Sequence, residues 1–205
     1  MIALIDYKAG NLTSVKKALA TIGAEVFVPD APADLDKAAG IIVPGVGHFG
    51  ATRALDQPWI DAILARVGEG RPLFGICLGM QWLFEGSDES PELPGLGLLA
   101  GRCYRLNPQS SILDPQSLKV PHVGWNSLTI QREASIVDRV PTESQVSFTH
   151  SYVAPITGAT VAVTEHGEPV AAVVQRGHIG GVQFHPEKSG EVGLQILRNF
   201  VELAG

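Results

Sequence analysis

Cysteine is scarce in this sequence: Cys77 and Cys103 are the only two among 205 residues, too few for a disulfide scaffold. Neither belongs to a Cys-x-x-Cys pair and no His-Glu-x-x-His run occurs, so no metal site is expected. No uninterrupted apolar stretch is long enough to span a bilayer. Nor does a basic and apolar leader precede the strand-like run from Met1 to Ile5, which points to a cytoplasmic chain without a membrane partner. Positive charge is in deficit: 15 Lys and Arg against 21 Asp and Glu leave a net charge of -6, the wrong sign for a nucleic-acid surface. Internal repeats, low-complexity segments and linkers are missing as well. No Gly-Lys-Ser/Thr follows the glycine-bracketed turn Gly45-Val46-Gly47, and no Gly-x-Gly-x-x-Gly follows the first strand. Both nucleotide-loop readings therefore fail, and no cofactor is expected.

What is present is ordinary globular material. The hydrophobic fraction is 45%, so a packed fold is the default. A chain of this length suits one domain, residues 1–205, burying roughly 70% of its unfolded surface. The first half alternates short apolar runs with amphipathic segments. Ile2 to Asp6, Val26 to Val28 and Gly40 to Val43 read as strands. Leu12, Val15, Leu19 and Ile22 share one helical face that stops at Gly23, and Ile60, Ile63, Leu64 and Val67 another after Pro58. Such alternation predicts a mostly parallel sheet covered by helices on both faces, a three-layer α/β fold. From Gly95 the pattern turns β-rich: Leu98 to Leu106, Leu118 to Ile130, Gln145 to Val153, Thr160 to Thr164 and Val170 to Gln175. An exposed loop is expected from Asn107 to Ser117. Ser189 is expected to cap a last helix whose apolar face is Val192, Ile196, Leu197 and Phe200.

Three segments carry chemistry. In Gly75-Ile76-Cys77-Leu78-Gly79 a buried apolar run ends in a nucleophile bracketed by glycines, the pattern of a sharp strand-to-helix elbow. A cysteine there lies at a helix N-terminus, whose partial positive charge favours thiolate, and the Leu78 N–H is free to face an oxyanion. The alternative is a buried cysteine ending an ordinary strand. Downstream, Phe184-His185-Pro186-Glu187-Lys188 follows another apolar run. His185 and Glu187 are two apart, so on an extended backbone they project to one side. The carboxylate can then hold Nδ1–H of the imidazole and leave Nε2 for the sulfur. Alone, that tripeptide is an unremarkable surface loop; its value comes from the elbow. The third segment is Pro44-Gly45-Val46-Gly47, after a strand. Acyl transfer generally uses a second backbone donor from a separate loop, and the glycines allow close approach and easy reorientation of the peptide at Val46.

Together these segments resemble the class I (triad) glutamine amidotransferases. Gly10-Asn11-Leu12, Pro44 to Gly47, Gly75 to Gln81, Pro121-His122-Val123-Gly124-Trp125-Asn126 and Gln183 to Lys188 narrow the resemblance to the glutaminase subunit of imidazole glycerol phosphate synthase, from end to end of the chain. The resemblance implies hydrolysis of glutamine to glutamate and ammonia by Cys77, His185 and Glu187. Leu78 with Val46 or Gly47 would form the oxyanion site, and Gly45, Gln81, Glu89 and the backbone at Ser151 and Tyr152 would bind glutamine. It further implies a heterodimer with a (βα)8-barrel cyclase subunit of histidine biosynthesis, with Asn11, His122, Trp125, Asn126 and Lys188 at the interface. Trp125 reads nearly as well as core, and Glu89 as a solvated charge. Val123 stands where the family commonly has methionine, a mild apolar exchange. The remaining histidines have plain readings: His48 beside the glycine loop, His150 near the pocket without a role, His166 and His178 at turns or strand starts. Cys103 reads as a strand-core thiol.

Three rivals remain at the level of sequence. One is the ammonia-supplying subunit of pyridoxal phosphate synthase, which shares the elbow but not Pro-His-x-Gly-Trp-Asn. The others are a stand-alone cysteine hydrolase and a catalytically dead binding module, against which the intact Cys77, His185 and Glu187 count.

Overall fold

Parallel strands covered on both faces need side chains that are apolar on both sides, and the early strands satisfy this. A computed structural model describes residues 1–107 and 119–205. Its strands are β1 (Ile2–Leu4), β2 (Val26–Phe27), β3 (Gly40–Val43), β4 (Leu73–Ile76), β5 (Gly86–Ser87), β6 (Arg102–Arg105) and β7 (His122–Ser127). They continue as β8 (Thr129–Ile130), β9 (Gln145–His150), β10 (Tyr152–Val153), β11 (Thr160–His166), β12 (Glu168–Arg176) and β13 (Ile179–Val182). The α-helices are α1 (Leu12–Thr21), α2 (Gln57–Gly68), α3 (Leu78–Trp82) and α4 (Gly190–Leu203). Beyond Asn107, the expected loop to Ser117 falls outside the described residues.

The main sheet has the order β2-β1-β3-β4-β13-β12-β11-β8. Its first five strands are parallel and its last three antiparallel. Successive residues feed opposite cores, as a period of two demands. Ile2 and Leu4 join Val15 and Leu19 of α1 and Ile196, Leu197 and Phe200 of α4 on one face. Ala3 and Ile5 join Ile63 and Val67 of α2 on the other. The result is the expected three-layer α/β arrangement. Strand ends are shorter than the apolar runs suggested: the run from Leu98 becomes a strand only at Arg102.

Local signals explain the helix ends. Asn11 caps α1, its Oδ1 accepting from the Ser14 N–H at 3.3 Å. The helix closes with Gly23 and Ala24 N–H groups on the Ala20 and Leu19 carbonyls, at φ +75 for Gly23. Asp56 caps α2, and Pro58 sits in its first turn. Ser189 departs from expectation. It precedes α4, but its side chain makes no capping bond. A short 3-10 turn, Pro186–Lys188, leads into the helix, and the hydroxyl meets β9 instead. It accepts from Ser147 N–H at 3.0 Å and donates to the His185 carbonyl at 2.7 Å.

Candidate active site

Strands β1, β3, β4 and β13 are neighbours and parallel, so their carboxyl ends open on one edge of the sheet. The chain leaves them through Tyr7, Gly45, Cys77 and Gln183, and convergence of these segments follows from topology. Cys77 links β4 to α3 at φ 53 and ψ -106, a conformation side chains rarely adopt and one that costs about 1–3 kcal/mol. The surroundings hold it there. A β-carbon on Gly79 would land on the Val43 carbonyl, and one on Gly75 would strike the backbone of Gly79 and Met80. The Cys77 N–H is fixed at 2.7 Å on the Val182 carbonyl, which joins the elbow to β13.

Three residues past β13, Nδ1 of His185 lies 2.9 Å from Oε1 of Glu187, with side chains 2% and 1% exposed. The Cys77 side chain is near enough to act on the same ring. Burial pushes the imidazole pKa down, but Cys77 and then Glu187 outweigh it and raise it to about 9. Glu187 Oε2 is buried without a hydrogen-bond partner among the described residues, so the carboxylate acts on His185 alone. Gln183 donates to the Cys77 sulfur at 3.6 Å, and the Cys77 thiol points at the Thr149 carbonyl at 3.9 Å.

Beside the sulfur lies a cavity of about 280 Å³ lined by Gly47, Leu78, Gln81, Glu89, His150, Ser151 and Tyr152 among others. This brings together Cys77 and most of the residues expected to bind glutamine. Glu89 is not a loose surface charge: its Oε2 accepts from the Phe49 N–H at 2.7 Å. Gln81 is buried, and its Nε2 donates to the Tyr152 carbonyl at 2.8 Å and to Gln183 Oε1 at 3.1 Å. Leu78 opens α3, so its N–H is among those a helix leaves without an internal acceptor. The Val46 N–H, by contrast, is already on the Ala9 carbonyl at 3.2 Å, which turns that donor away from the pocket. Gly45 has no room for a side chain, since a β-carbon would meet the Tyr7 hydroxyl and Leu78. A larger, more open groove of about 820 Å³ between Glu133, Arg139 and Glu202 is lined by neither cysteine nor histidine; chemistry, not volume, selects the site.

The expected interface residues part company. Trp125 is 60% exposed, against the core reading, and Lys188 is exposed as well. Asn11 is engaged as a helix cap, while Asn126 donates to the Glu165 carbonyl at 2.8 Å. His122 is only 3% exposed and stacks between Phe148 and His166, because even-numbered residues of β7 face inward. His48 caps the turn after the glycine loop and Cys103 is core. Sequence reasoning assigns Gln183 no role, although a polar residue two before His185 at the end of an apolar strand is a usable signal. Tyr7 carries no such signal. Its buried hydroxyl has no hydrogen-bond partner among the described residues, and burial, then the nearby Cys77, push its pKa up.

Known proteins resemble this chain along its whole length. The family profile described as glutamine amidotransferase class-I matches residues 3–203. The imidazole glycerol phosphate synthase subunit HisH of Methanothermobacter thermautotrophicus is 42% identical over 204 residues, covering 99% of this chain and 98% of that protein. The protein of the same name from Bacillus cytotoxicus is 45% identical over 203 residues, covering 98% and 93%. Among solved structures, one titled as a glutamine amidotransferase aligns over 100% of both chains with a TM-score of 0.75 at 22% identity. A chain from the structure of PurLQS of Thermotoga maritima aligns over 98% of this chain and 97% of its own length, with a TM-score of 0.73 at 19% identity. These two speak for the fold alone.

Proposed function

The chain belongs to the class-I glutamine amidotransferases, and from that premise we propose that it is the glutaminase subunit of an imidazole glycerol phosphate synthase. It hydrolyses glutamine and delivers the ammonia to a (βα)8-barrel cyclase subunit in histidine biosynthesis, as one half of a cytoplasmic heterodimer. One observation carries the chemistry: a cysteine held at a strained elbow against an imidazole whose far nitrogen is bonded to a buried carboxylate. End-to-end similarity to synthase subunits supports the narrower assignment. Both cores share one sheet, which supports a single domain over residues 1–205.

The reaction follows from the geometry. The Cys77 thiolate attacks the side-chain amide carbon of glutamine, and the carbonyl oxygen becomes an oxyanion facing the Leu78 N–H. His185, protonated at neutral pH, gives its proton to the amide nitrogen, which leaves as ammonia as the C–N bond breaks. A γ-glutamyl thioester remains, and a water deprotonated by His185 releases glutamate. Glu89 and the free Oε1 of Gln81 are acceptors suited to the substrate's ammonium; backbone donors near Ser151 and Tyr152 suit its carboxylate. The second oxyanion donor comes from the Gly45–Gly47 loop. With the Val46 N–H committed to Ala9, this is a resting arrangement that reorients when the loaded partner binds. Ammonia released into water would be protonated and lose its nucleophilicity, so the partner must cover the site.

Ammonia release from glutamine, measured for the isolated chain and for its complex with the nucleotide-loaded barrel protein, tests the reading. Strong activation by the loaded partner, abolished by Cys77→Ala, is expected. Full turnover by the isolated chain would refute the resting loop, and failure of the barrel protein to bind would refute the synthase assignment.

A further inference from the structure

The glutaminase reading makes no use of three buried or half-buried histidines next to the pocket. His150, on the inner face of β9, lines the cavity beside Cys77 and is 6% exposed. Its Nδ1 lies 3.1 Å from the Tyr152 carbonyl, which can only accept, so the proton must be on Nδ1. In a neutral ring that leaves Nε2 as an acceptor. The His122 Nδ1 lies 3.1 Å from that Nε2 and must therefore donate. His122 Nε2 is then an acceptor in its turn, 3.4 Å from the Asn126 side-chain nitrogen. The orientation of Asn126 is fixed independently: its nitrogen donates to the Glu165 carbonyl at 2.8 Å and its oxygen accepts from the Ser127 N–H at 2.9 Å. Every proton in the chain points one way, from Asn126 through His122 and His150 to Tyr152.

Neutral rings are what this setting favours. Burial, then the neighbouring His166, lower the His122 pKa to about 4. Burial and His122, with His166 and His185 beyond, lower that of His150 to about 3 against the opposing bond to Tyr152. His166 stacks on His122 at 3.9 Å and closes its outer side. At its far end the chain reaches the chemistry. The Tyr152 carbonyl accepts from both His150 and Gln81, Gln81 also donates to Gln183, and Gln183 donates to the Cys77 sulfur. At its near end lies β7, whose inward residues are His122 and Asn126 and whose outward residues, Val123 and Trp125, are 64% and 60% exposed.

We propose that Asn126, His122 and His150 form a one-way hydrogen-bond relay that positions the Tyr152 carbonyl and Gln81 for glutamine, and that a partner seated on Val123 and Trp125 acts on the pocket through it. The proposal rests on the glutaminase reading for its substrate. These three are positioning residues; none touches a reacting atom.

Ring nitrogen NMR of the full chain at neutral pH tests the relay directly. Neutral rings with the proton on Nδ1 of both His122 and His150 are expected; a proton on Nε2 of either, or a charged ring, overturns it. Kinetics of the complex with the barrel protein supply the second arm. His122→Phe keeps a ring between Phe148 and His166 but has no donor, whereas His122→Asn places an amide N–H where Nδ1 stood. His122→Phe is expected to raise the KM for glutamine about fivefold with kcat nearly unchanged, and His122→Asn to stay near wild type. Equal KM in wild type and His122→Phe overturns positioning. A partner-induced fall in KM that survives in His122→Phe overturns the transmission. Should that variant not fold, the wild-type ring spectrum still decides. A wild-type complex that releases no ammonia sinks the glutaminase reading instead, and the ring tautomers are read independently of it.

Discussion

At the scale of single residues, the site depends on what each side chain is denied. Glu187 has no partner for its second oxygen among the described residues, and His185 is buried away from bulk solvent. The proton is therefore held by Cys77 and Glu187, which lift the imidazole from its ordinary 6.5 to about 9 despite burial. Cys77→Ala removes the first and larger of the two supports, and NMR titration should show the His185 pKa falling clearly below its wild-type value. An unchanged value would show that Cys77 does not contribute. The stability consequence has a defined sign. A pKa raised on folding adds stability that is complete below about 6.5 and disappears as pH climbs through about 9. The difference in denaturation midpoint between wild type and Cys77→Ala should shrink across that window. On the proposed mechanism turnover should fall above it, because His185 then no longer carries the proton it would donate.

At the scale of elements, two short joints do more than their sequence suggests. Asn11, expected at an interface, caps α1. Asn11→Ala should therefore cost about 1 kcal/mol in the isolated chain and Asn11→Ser little, by chemical denaturation. Equal stability of both variants would return Asn11 to a purely interfacial role. Ser189, expected to cap α4, instead ties Ser147 of β9 to the carbonyl of His185. Ser189→Ala leaves the Ser147 N–H without that acceptor, a loss of about 1–3 kcal/mol. It should also lower kcat, since the same hydroxyl seats the turn carrying His185. A stable variant with wild-type kcat would count against that seat.

At the scale of the whole molecule, the parallel strands gather their carboxyl ends beneath one surface, and the exposed apolar residues Val46, Val123 and Trp125 belong to segments bordering it. Exposed tryptophan contributes little to the stability of a lone chain and much to an interface. Trp125→Ala should leave the melting temperature of the isolated chain nearly unchanged and weaken binding of the proposed barrel partner by about 2 kcal/mol, roughly thirtyfold in Kd by calorimetry. Wild-type affinity would remove Trp125 from the docking face.

Much of this is legible along the chain. Glycines around Cys77 announce a bend because nothing larger fits between Val43 and Met80, and the alternation of apolar runs with amphipathic helices announces a covered sheet because both strand faces must be buried. His185 and Glu187 do meet, but not on the extended backbone expected of them: a 3-10 turn over Pro186–Lys188 brings the carboxylate to the ring. Periodicity says nothing about which side chains meet across one hundred residues. That Val46 commits its N–H to Ala9, that Gln183 reaches the sulfur, and that His122 turns inward while Trp125 turns out were settled only by tertiary structure. Local sequence fixes the conformation of a segment, but the partner of a buried polar group depends on which distant strand packing brings within hydrogen-bond reach.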